Sequence, residues 1–224
     1  MKLKYKLPNY AKLENKFDIE KLKKSVLELE HLFTNVYDAN GKLCASHHKL
    51  ATDVHTFFDQ INLTTNDNLE KISTEQCMEL LETNSVKNRI RENVTDSGID
   101  EKSYNIPTPQ YVNSYFQEVV ESFKADAIRV RITKLGAGKS LIPHIDYDPS
   151  YAVRIIVPIF SDKLCVNQFY RKNVLEEVHL EADGSAYFLN TGVKHSVVNN
   201  SSSDRIALMV SLNNTFDIEH LINE

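Results

Sequence analysis

The hydrophobic pattern of the chain changes near residue 126, and this change limits the folds that the chain can adopt. After that point, apolar and polar residues alternate in short stretches such as 128–133 and 153–160. A period of two residues is typical of strands that bury one face. Turns rich in glycine, asparagine and serine separate these stretches, for example at 183–184 and 199–203. The second part of the chain therefore predicts a small antiparallel barrel or jelly roll.

The first 125 residues instead carry apolar side chains at helical spacing. One apolar stripe runs from Phe17 to Phe33, and further candidate helices cover about Ser73 to Glu92 and about Pro109 to Phe123. Two prolines and a glycine predict a loop between Asp96 and Pro109. Helices therefore precede strands along the chain, and this order predicts an α+β fold.

Length and composition suit one integrated domain of 224 residues, with a mainly helical region at 1–125 and a strand-rich core at 126–224. The net charge of -5 argues against nucleic-acid binding, and no apolar run reaches the about 18 residues that span a bilayer. The basic N-terminus lacks the apolar segment of a signal peptide, and the three cysteines lie far apart. We therefore expect a cytoplasmic protein with reduced thiols, without a nucleic-acid or membrane partner.

Three residues of the second part have the chemistry and spacing of a metal site. On an extended backbone, His144 and Asp146 point to the same side, because side-chain direction repeats every two residues. His195 follows Asp146 by 49 residues in another strand-like segment. Two imidazoles and one carboxylate are the ligands of non-haem iron(II) oxygenases, which leave one face of the metal open. A chance His-x-Asp pair and a zinc or storage-cupin site are the alternatives.

Two arginines favour the oxygenase, because a 2-oxo acid co-substrate has a distal carboxylate that needs a cation in a water-poor pocket. Arg205 follows His195 by ten residues, and a hairpin between them would place the two residues on neighbouring strands. Arg154 follows His144 by ten residues within an apolar strand, where a lone arginine is costly unless an anion binds it. For each arginine taken alone, a structural salt bridge is an equally good interpretation.

Residues 128–212 resemble the aspartyl/asparaginyl beta-hydroxylase family, which includes bacterial hydroxylases of free amino acids such as proline. The shared blocks are Pro-His-x-Asp at 143–146, an Arg-x-His-x-Pro-like strand at 154–158, and Asn-x-x-x-x-His-Ser-Val-x-Asn at 190–199, followed by Asp204-Arg205. The family also has a hydroxyl residue eleven positions before the first histidine, where this chain has Thr133. The resemblance does not extend to the first 125 residues.

This resemblance implies a double-stranded β-helix, a jelly-roll fold, with the N-terminal helices packed on it. It also implies an iron(II)- and 2-oxoglutarate-dependent dioxygenase that uses O2, hydroxylates an unactivated carbon and releases succinate and CO2. The two histidines and the aspartate of the motif would bind the iron. By the same resemblance, Arg205 and Thr133 would bind the distal carboxylate of 2-oxoglutarate, and Arg154 would help to hold the co-substrate.

The chain departs from the family pattern at one position and from some members at another. Ile156 replaces a family histidine that lies near the co-substrate. Asp146 is present, whereas animal aspartyl-peptide hydroxylases of the family lack this carboxylate. The chain is therefore more similar to the bacterial amino-acid hydroxylases. Asp146 also argues against halogenation, which needs the coordination position that the carboxylate fills.

The substrate side of the site is the least defined. Arg129 and Arg131 alternate with apolar residues, so they either share the pocket face with Thr133 or lie at a solvent-facing edge. Arg131 and Tyr147 are the candidates for substrate binding. We expect hydroxylation of a small amino acid or an amino-acid-derived substrate. An Asp- or Asn-type residue in a peptide or protein is one alternative, and a non-catalytic jelly-roll binding module is another.

Overall fold

The computed structural model describes residues 2–33, 36–37, 43–45, 58–65 and 101–222. The strands of these residues are, in chain order, β1 (Tyr10–Lys16), β2 (Val36–Tyr37), β3 (Leu43–Ala45), β4 (Phe58–Asn62), β5 (Thr64–Thr65), β6 (Ile106–Pro107), β7 (Ala127–Leu135), β8 (Ser140–His144), β9 (Val153–Phe160), β10 (Cys165–Arg171), β11 (Val174–Val178), β12 (Ser185–Leu189), β13 (Lys194–Asn199) and β14 (Arg205–Leu212). The α-helices are α1 (Ile19–Leu29) and α2 (Tyr115–Glu121). Short 3-10 helices lie at Leu3–Tyr5, Glu30–Leu32, Glu101–Ser103 and Phe216–Leu221.

Most of the strands form two antiparallel sheets that pack face to face. The major sheet has the order β1-β12-β9-β14-β7-β4, and the minor sheet has the order β11-β10-β13-β8. Ile156 and Ala207 of the major sheet contact Phe169 of the minor sheet in the core between them. This arrangement is a jelly roll with helices packed on it, and it confirms the predicted fold class.

The helices cover the outer face of the major sheet. Alternate residues of β14 point to this face, and they are buried in one cluster with residues of both helices. This outer core includes Leu22 and Val26 of α1, Phe116, Val119 and Val120 of α2, and Ile206, Leu208, Val210 and Leu212 of β14. The opposite face of β14 therefore points into the space between the two sheets.

The helix boundaries differ from the predicted ones for local reasons. Helix α1 lies within the predicted 17–33 stretch and begins at Asp18, whose carboxylate accepts hydrogen bonds from the first backbone N–H groups of the helix. Helix α2 is shorter than the predicted 109–123, because residues before the cap Ser114 form turns. The candidate helix at 73–92 lies outside the described residues.

Strands from the first 125 residues extend the major sheet at both edges. Strand β1 pairs with β12, and β4 pairs with β7, so the edge strands of the core find backbone partners. Helical spacing alone did not predict these strands. In the described ranges, no helix is both long and apolar enough to cross a membrane.

Candidate functional site

Three candidate metal ligands meet at one end of the minor sheet. His144 is the last residue of β8, Asp146 follows two residues later, and His195 lies on the neighbouring strand β13 directly opposite His144. The Nε2 atoms of His144 and His195 lie 3.6 and 3.9 Å from the oxygens of Asp146. One ligand atom from each residue falls within a group spanning 4.8 Å.

Backbone carbonyl groups orient both imidazoles toward this centre. Nδ1 of His144 lies 2.8 Å from the carbonyl oxygen of Ile142, and Nδ1 of His195 lies 3.0 Å from that of Val193. If each Nδ1 donates its proton to the carbonyl, each Nε2 keeps a lone pair that points to the shared centre. Hydrogen bonding of the second ring nitrogen is the usual support for a metal-binding histidine.

The electrostatics of the three residues also suit a cation. Burial, with the neighbouring His144, lowers the pKa of His195 to about 4, so the imidazole is neutral at pH 7. Burial alone would raise the pKa of Asp146, but the nearby His144, His195 and Arg154 hold it below its usual value. Two imidazoles, with that of His195 neutral, and one ionised carboxylate on one side of a cavity fit a divalent metal such as iron(II).

The ligands open into a cavity of about 60 Å³ between the two sheets. Arg131, Arg154 and Arg205 line it together with the three candidate ligands, and Ile156, Leu189 and Met209 supply apolar wall. The structure therefore brings the predicted ligands and three of the predicted arginines into one space.

Arg205 lines the cavity, but the strand that carries it is not the neighbour of the His195 strand, as the sequence predicted it to be. It begins β14 of the major sheet, whereas His195 lies on β13 of the minor sheet, so the predicted hairpin of neighbouring strands is wrong. The side-chain amide of Asn199 donates to backbone carbonyls of Leu135, Gly136 and Ser203, and it fixes a turn that crosses from one sheet to the other. The two residues consequently face each other across the sandwich.

The surroundings of Arg205 contain little that balances its charge. Its side chain is buried, and within the described ranges no carboxylate lies at salt-bridge distance from it. Burial lowers the pKa of Arg205 for this reason. A buried guanidinium in a cavity wall fits the distal carboxylate of 2-oxoglutarate.

Arg154 has a protein carboxylate as its partner, in line with the alternative of a structural salt bridge, although the sequence did not identify Glu101 as that partner. Its Nη2 lies 3.0 and 3.1 Å from the two carboxylate oxygens of Glu101, and its Nη1 donates to Oγ of Ser211. The same Nη2 lies 3.8 Å from Oδ2 of Asp146, so Arg154 also borders the metal ligands. Arg154 therefore combines a structural salt bridge with a position in the cavity wall.

Arg129 and Arg131 are buried, so the predicted alternative of a solvent-facing edge is wrong. Both guanidinium groups contact Oε1 of Glu101, at 3.1 Å from Arg129 and 3.4 Å from Arg131. Glu101 lies in the segment that was predicted only as a loop, and it contacts all three arginines of this region. Buried arginines need an anionic partner, but no sequence pattern identifies which carboxylate is that partner.

Two other predicted residues are not among those that line the cavity. Thr133 is buried in β7, where its hydroxyl donates to the carbonyl oxygen of Ala207 on the neighbouring strand at 3.3 Å. Tyr147 stacks on Tyr151 with ring centroids 4.4 Å apart and packs beside Ile128. Both side chains lie behind the wall rather than in it.

The sequence of this chain is similar to known proteins mainly through one family. Its residues 95–215 match the sequence profile of Aspartyl/Asparaginyl beta-hydroxylase, a match over more than half of the chain. No curated protein matches the sequence.

Solved structures of similar shape include three proteins of low sequence identity. A Pseudomonas putida prolyl-4-hydroxylase has 8% identity and a TM-score of 0.48, covering 92% of both chains. A prolyl hydroxylase from Trichoplax adhaerens, in complex with a hypoxia inducible factor peptide fragment, has 12% identity and a TM-score of 0.49, covering 93% of this chain and 85% of that one. HygX from Streptomyces hygroscopicus, with nickel and 2-oxoglutarate bound, has 9% identity and a TM-score of 0.48, covering 95% and 85%.

Proposed function

Because the chain belongs to the aspartyl/asparaginyl beta-hydroxylase family and is an iron(II)- and 2-oxoglutarate-dependent oxygenase, we propose that it hydroxylates a small amino acid or amino-acid-derived substrate. The family match confirms the predicted enzyme class and cofactors. The observation that carries the proposal is the shared cavity, in which three metal ligands lie beside cationic groups at both of its ends. Cationic groups beside a metal site suit a small molecule that carries a carboxylate.

The three ligand residues would hold the metal on the side of the minor sheet. His144 and His195 present Nε2 because their Nδ1 atoms are bound to carbonyl groups, and Asp146 supplies the anionic ligand. When bound, iron(II) activates O2, so that 2-oxoglutarate is oxidised to succinate and CO2 while one oxygen atom enters a C–H bond of the substrate. The protein contributes the orientation of these groups and a cavity that limits access of water.

The arginines of the major sheet would bind the co-substrate. Arg205 is the candidate for the distal carboxylate, since it is a buried cation without a described carboxylate partner. Arg154 lies beside Asp146 and would hold the end of 2-oxoglutarate that approaches the metal. Thr133 lies two positions from Leu135, the residue of β7 that pairs with Arg205, and it would support that end of the cavity from behind.

The opposite end of the cavity is left for the substrate. Arg131 lies opposite Met209, four residues along β14 from Arg205, which corresponds to about 13 Å along the strand. Arg131 would bind a carboxylate of the substrate, and Tyr147 would act only indirectly, by packing behind the wall.

The proposal is tested by loading the protein with iron(II) under anaerobic conditions and then adding 2-oxoglutarate, O2 and a panel of free amino acids. We expect stoichiometric iron binding and succinate release that increases with the correct amino acid. Replacement of a ligand, His195→Ala, should abolish both. His179→Ala is the matched control, because His179 bonds to the carbonyl of Cys165 and does not line the cavity.

Two results would contradict the proposal in different ways. Absence of iron binding in the unaltered protein would contradict the metal centre itself. Succinate release that no free amino acid stimulates, together with a gain of one oxygen atom in a co-purified peptide or protein, would favour the peptide-directed alternative.

A further inference from the structure

Glu101 and three arginines form one buried cluster at the substrate end of the cavity, here named the arginine cluster. Its members are Arg129, Arg131, Arg154 and Glu101, and each has less than a tenth of its surface exposed. The carboxylate of Glu101 contacts every guanidinium group of the cluster, at 3.0 to 3.4 Å. Ser211 adds a hydroxyl that donates to Oε2 of Glu101 at 3.0 Å. The oxygens of Glu101 are thus fully used by the protein.

The cluster carries more positive than negative charge. Three guanidinium groups and one carboxylate leave a charge of +2, and Asp146 offsets part of this at 3.8 Å from Arg154. Burial and the neighbouring Arg129 and Arg154 hold the pKa of Arg131 well below its usual value. Excess positive charge in a buried site is unfavourable unless an anion reaches it.

Arg131 combines weakly used hydrogen-bonding capacity with a place in the cavity wall. Within the described ranges its Nε is buried without a hydrogen-bond acceptor, and its Nη2 donates to the thioether sulfur of Met209 at 3.0 Å. A thioether is a weak acceptor for a charged donor. Arg131 lines the cavity, whereas Arg129 does not and lies 4.4 Å from the ring centre of Tyr104. Of these two arginines, Arg131 is therefore the one that borders the space where a small molecule would bind, and the acceptor described for its Nη2 is weak.

We propose that Glu101 is a positioning residue that holds Arg131 in the cavity wall, so that this guanidinium receives one carboxylate of the substrate. The proposal rests on the proposed function and narrows its substrate class to molecules with a free carboxylate. Glu101 contacts Nη1 of Arg131, and Nη2, whose described acceptor is the sulfur of Met209, is left to bind the substrate. Binding of a monoanion then brings the cluster closer to neutrality.

The consequence is a preference for carboxylates over carboxamides of the same shape. A carboxamide offers one neutral oxygen and an NH2 group that would meet a cation, so it loses the charge-assisted bonds. We expect the dissociation constant of an amino acid that the protein binds to be at least about tenfold lower than that of its carboxamide. Binding of 2-oxoglutarate should not depend on Arg131.

The experiment uses anaerobic protein loaded with iron(II) and 2-oxoglutarate, titrated with free amino acids and their carboxamides in a calorimeter. The variants are Arg131→Gln and its matched control Arg129→Gln, which removes an equivalent contact with Glu101 outside the cavity wall. Arg131→Gln should abolish the preference for the carboxylate, and Arg129→Gln should retain it. Turnover of 2-oxoglutarate without substrate, measured in parallel, reports on the oxygenase centre alone.

The role of Glu101 itself is tested by Glu101→Gln and Glu101→Asp, with thermal unfolding recorded beside binding. We expect Glu101→Gln to reduce the carboxylate preference at least threefold and Glu101→Asp, which keeps the charge, to restore part of it. The double variant Glu101→Gln/Arg129→Gln has the original cluster charge and serves if the single variant does not fold. Its preference should remain reduced, since Arg131 has lost the partner that positions it.

The results separate this inference from the proposed function. The inference would be overturned if Arg131→Gln preferred the amino acid over its carboxamide as strongly as the unaltered protein does. It would also be overturned if the Glu101 variants that fold kept this preference unchanged. A panel in which no amino acid binds more tightly than its carboxamide would likewise overturn it. Failure to bind iron or to consume 2-oxoglutarate would contradict the proposed function instead.

Discussion

The two ends of the cavity hold buried arginines in different surroundings. At one end, Arg205 lies in the wall, and within the described part of the chain no carboxylate comes within salt-bridge distance of it. At the other end, the arginine cluster shares the carboxylate of Glu101. Both ends belong to the same major sheet, and about 13 Å of strand β14 separates Arg205 from Met209 beside the cluster.

This difference indicates what each end is built to do. A buried cation without a protein partner is costly in the free protein, and a bound anion removes that cost. A cation that already has a protein partner is held in a fixed orientation before any ligand arrives. We infer that Arg205 supplies affinity for the co-substrate, whereas the cluster supplies a fixed geometry for the substrate.

The largest expected effect concerns stability. Glu101→Ala should lower the free energy of unfolding by about 3–5 kcal/mol, because it leaves three buried guanidinium groups without their shared carboxylate. Arg205→Met should cause no comparable loss, since it removes a buried charge that has no described counterion. Urea unfolding of the metal-free variants measures both, with exposed Glu177→Ala as control. Similar losses of unfolding free energy in Glu101→Ala and Arg205→Met would contradict the inferred difference between the two ends of the cavity.

The second effect concerns affinity for 2-oxoglutarate. Arg205→Met should raise the KM for 2-oxoglutarate by about 10- to 100-fold, the equivalent of losing charge-assisted hydrogen bonds of about 1.5–3 kcal/mol. Arg205→Lys should have a smaller effect, because it keeps the charge but loses the planar fork. Initial rates of succinate formation measure the change. Arg171→Met is the control, since Arg171 bonds to backbone carbonyls of Tyr5 and Leu7 outside the cavity lining. An unchanged KM for 2-oxoglutarate in Arg205→Met would show that Arg205 does not bind the co-substrate.

A third, smaller effect is the dependence of stability on pH. Burial alone would raise the pKa of Glu101, but Arg154, Arg129 and Arg131 outweigh it and hold this pKa far below its usual value. The unfolded chain, with a glutamate pKa of about 4.3, therefore takes up the proton first as pH falls. The stabilisation is complete above that pH and is lost progressively below it.

The measurement compares unfolding free energies at about pH 6 and about pH 3.5. The unaltered protein should lose more stability over this interval than Glu101→Gln, which has no proton to gain at this position. Arg205→Met should follow the unaltered protein, because Glu101 is intact. Parallel curves for Glu101→Gln and the unaltered protein would show that folding does not change the pKa of Glu101, and would contradict the arginine contacts as its cause.

The smallest effect is expected at an exposed ion pair. Lys16 and Asp183 are only 2.7 Å apart, closer than any pair in the arginine cluster, but both side chains are exposed by more than a third. Lys16→Met should change the unfolding free energy by less than about 1 kcal/mol, since water screens the pair. A loss similar to that of Glu101→Ala would mean that distance, rather than burial, governs these interactions.

Much of the site follows from short-range rules that act along the sequence. An i, i+2 pair on an extended segment shares a face, which placed His144 and Asp146 together before any fold was known. The same period puts Arg205, Ala207 and Met209 on one face of β14, and in the structure all three face the space between the sheets. Alternation and the helical stripe likewise predicted helices followed by a strand-rich core.

The exact ends of elements and the pairing of strands could not be predicted in this way. Helix α2 begins only after Ser114, because the capping hydrogen bond of that residue competes with a longer helix. Strands β1 and β4 exist because the edges of the major sheet accept them as partners, and no pattern within 10–16 or 58–62 fixes those partners.

By itself, the sequence determined which residues have the chemistry and spacing of a metal site and which family the chain resembles, while it left the direction of Arg129 and Arg131 open. Only the tertiary structure decided that β13 and β14 lie in opposite sheets and that Glu101 joins three arginines from distant positions in the chain. Side-chain direction is set by the local backbone, so a periodic pattern reveals it. The partner of a buried charge is selected by proximity in the folded chain, and Glu101 stands 28 residues before Arg129 and 53 before Arg154.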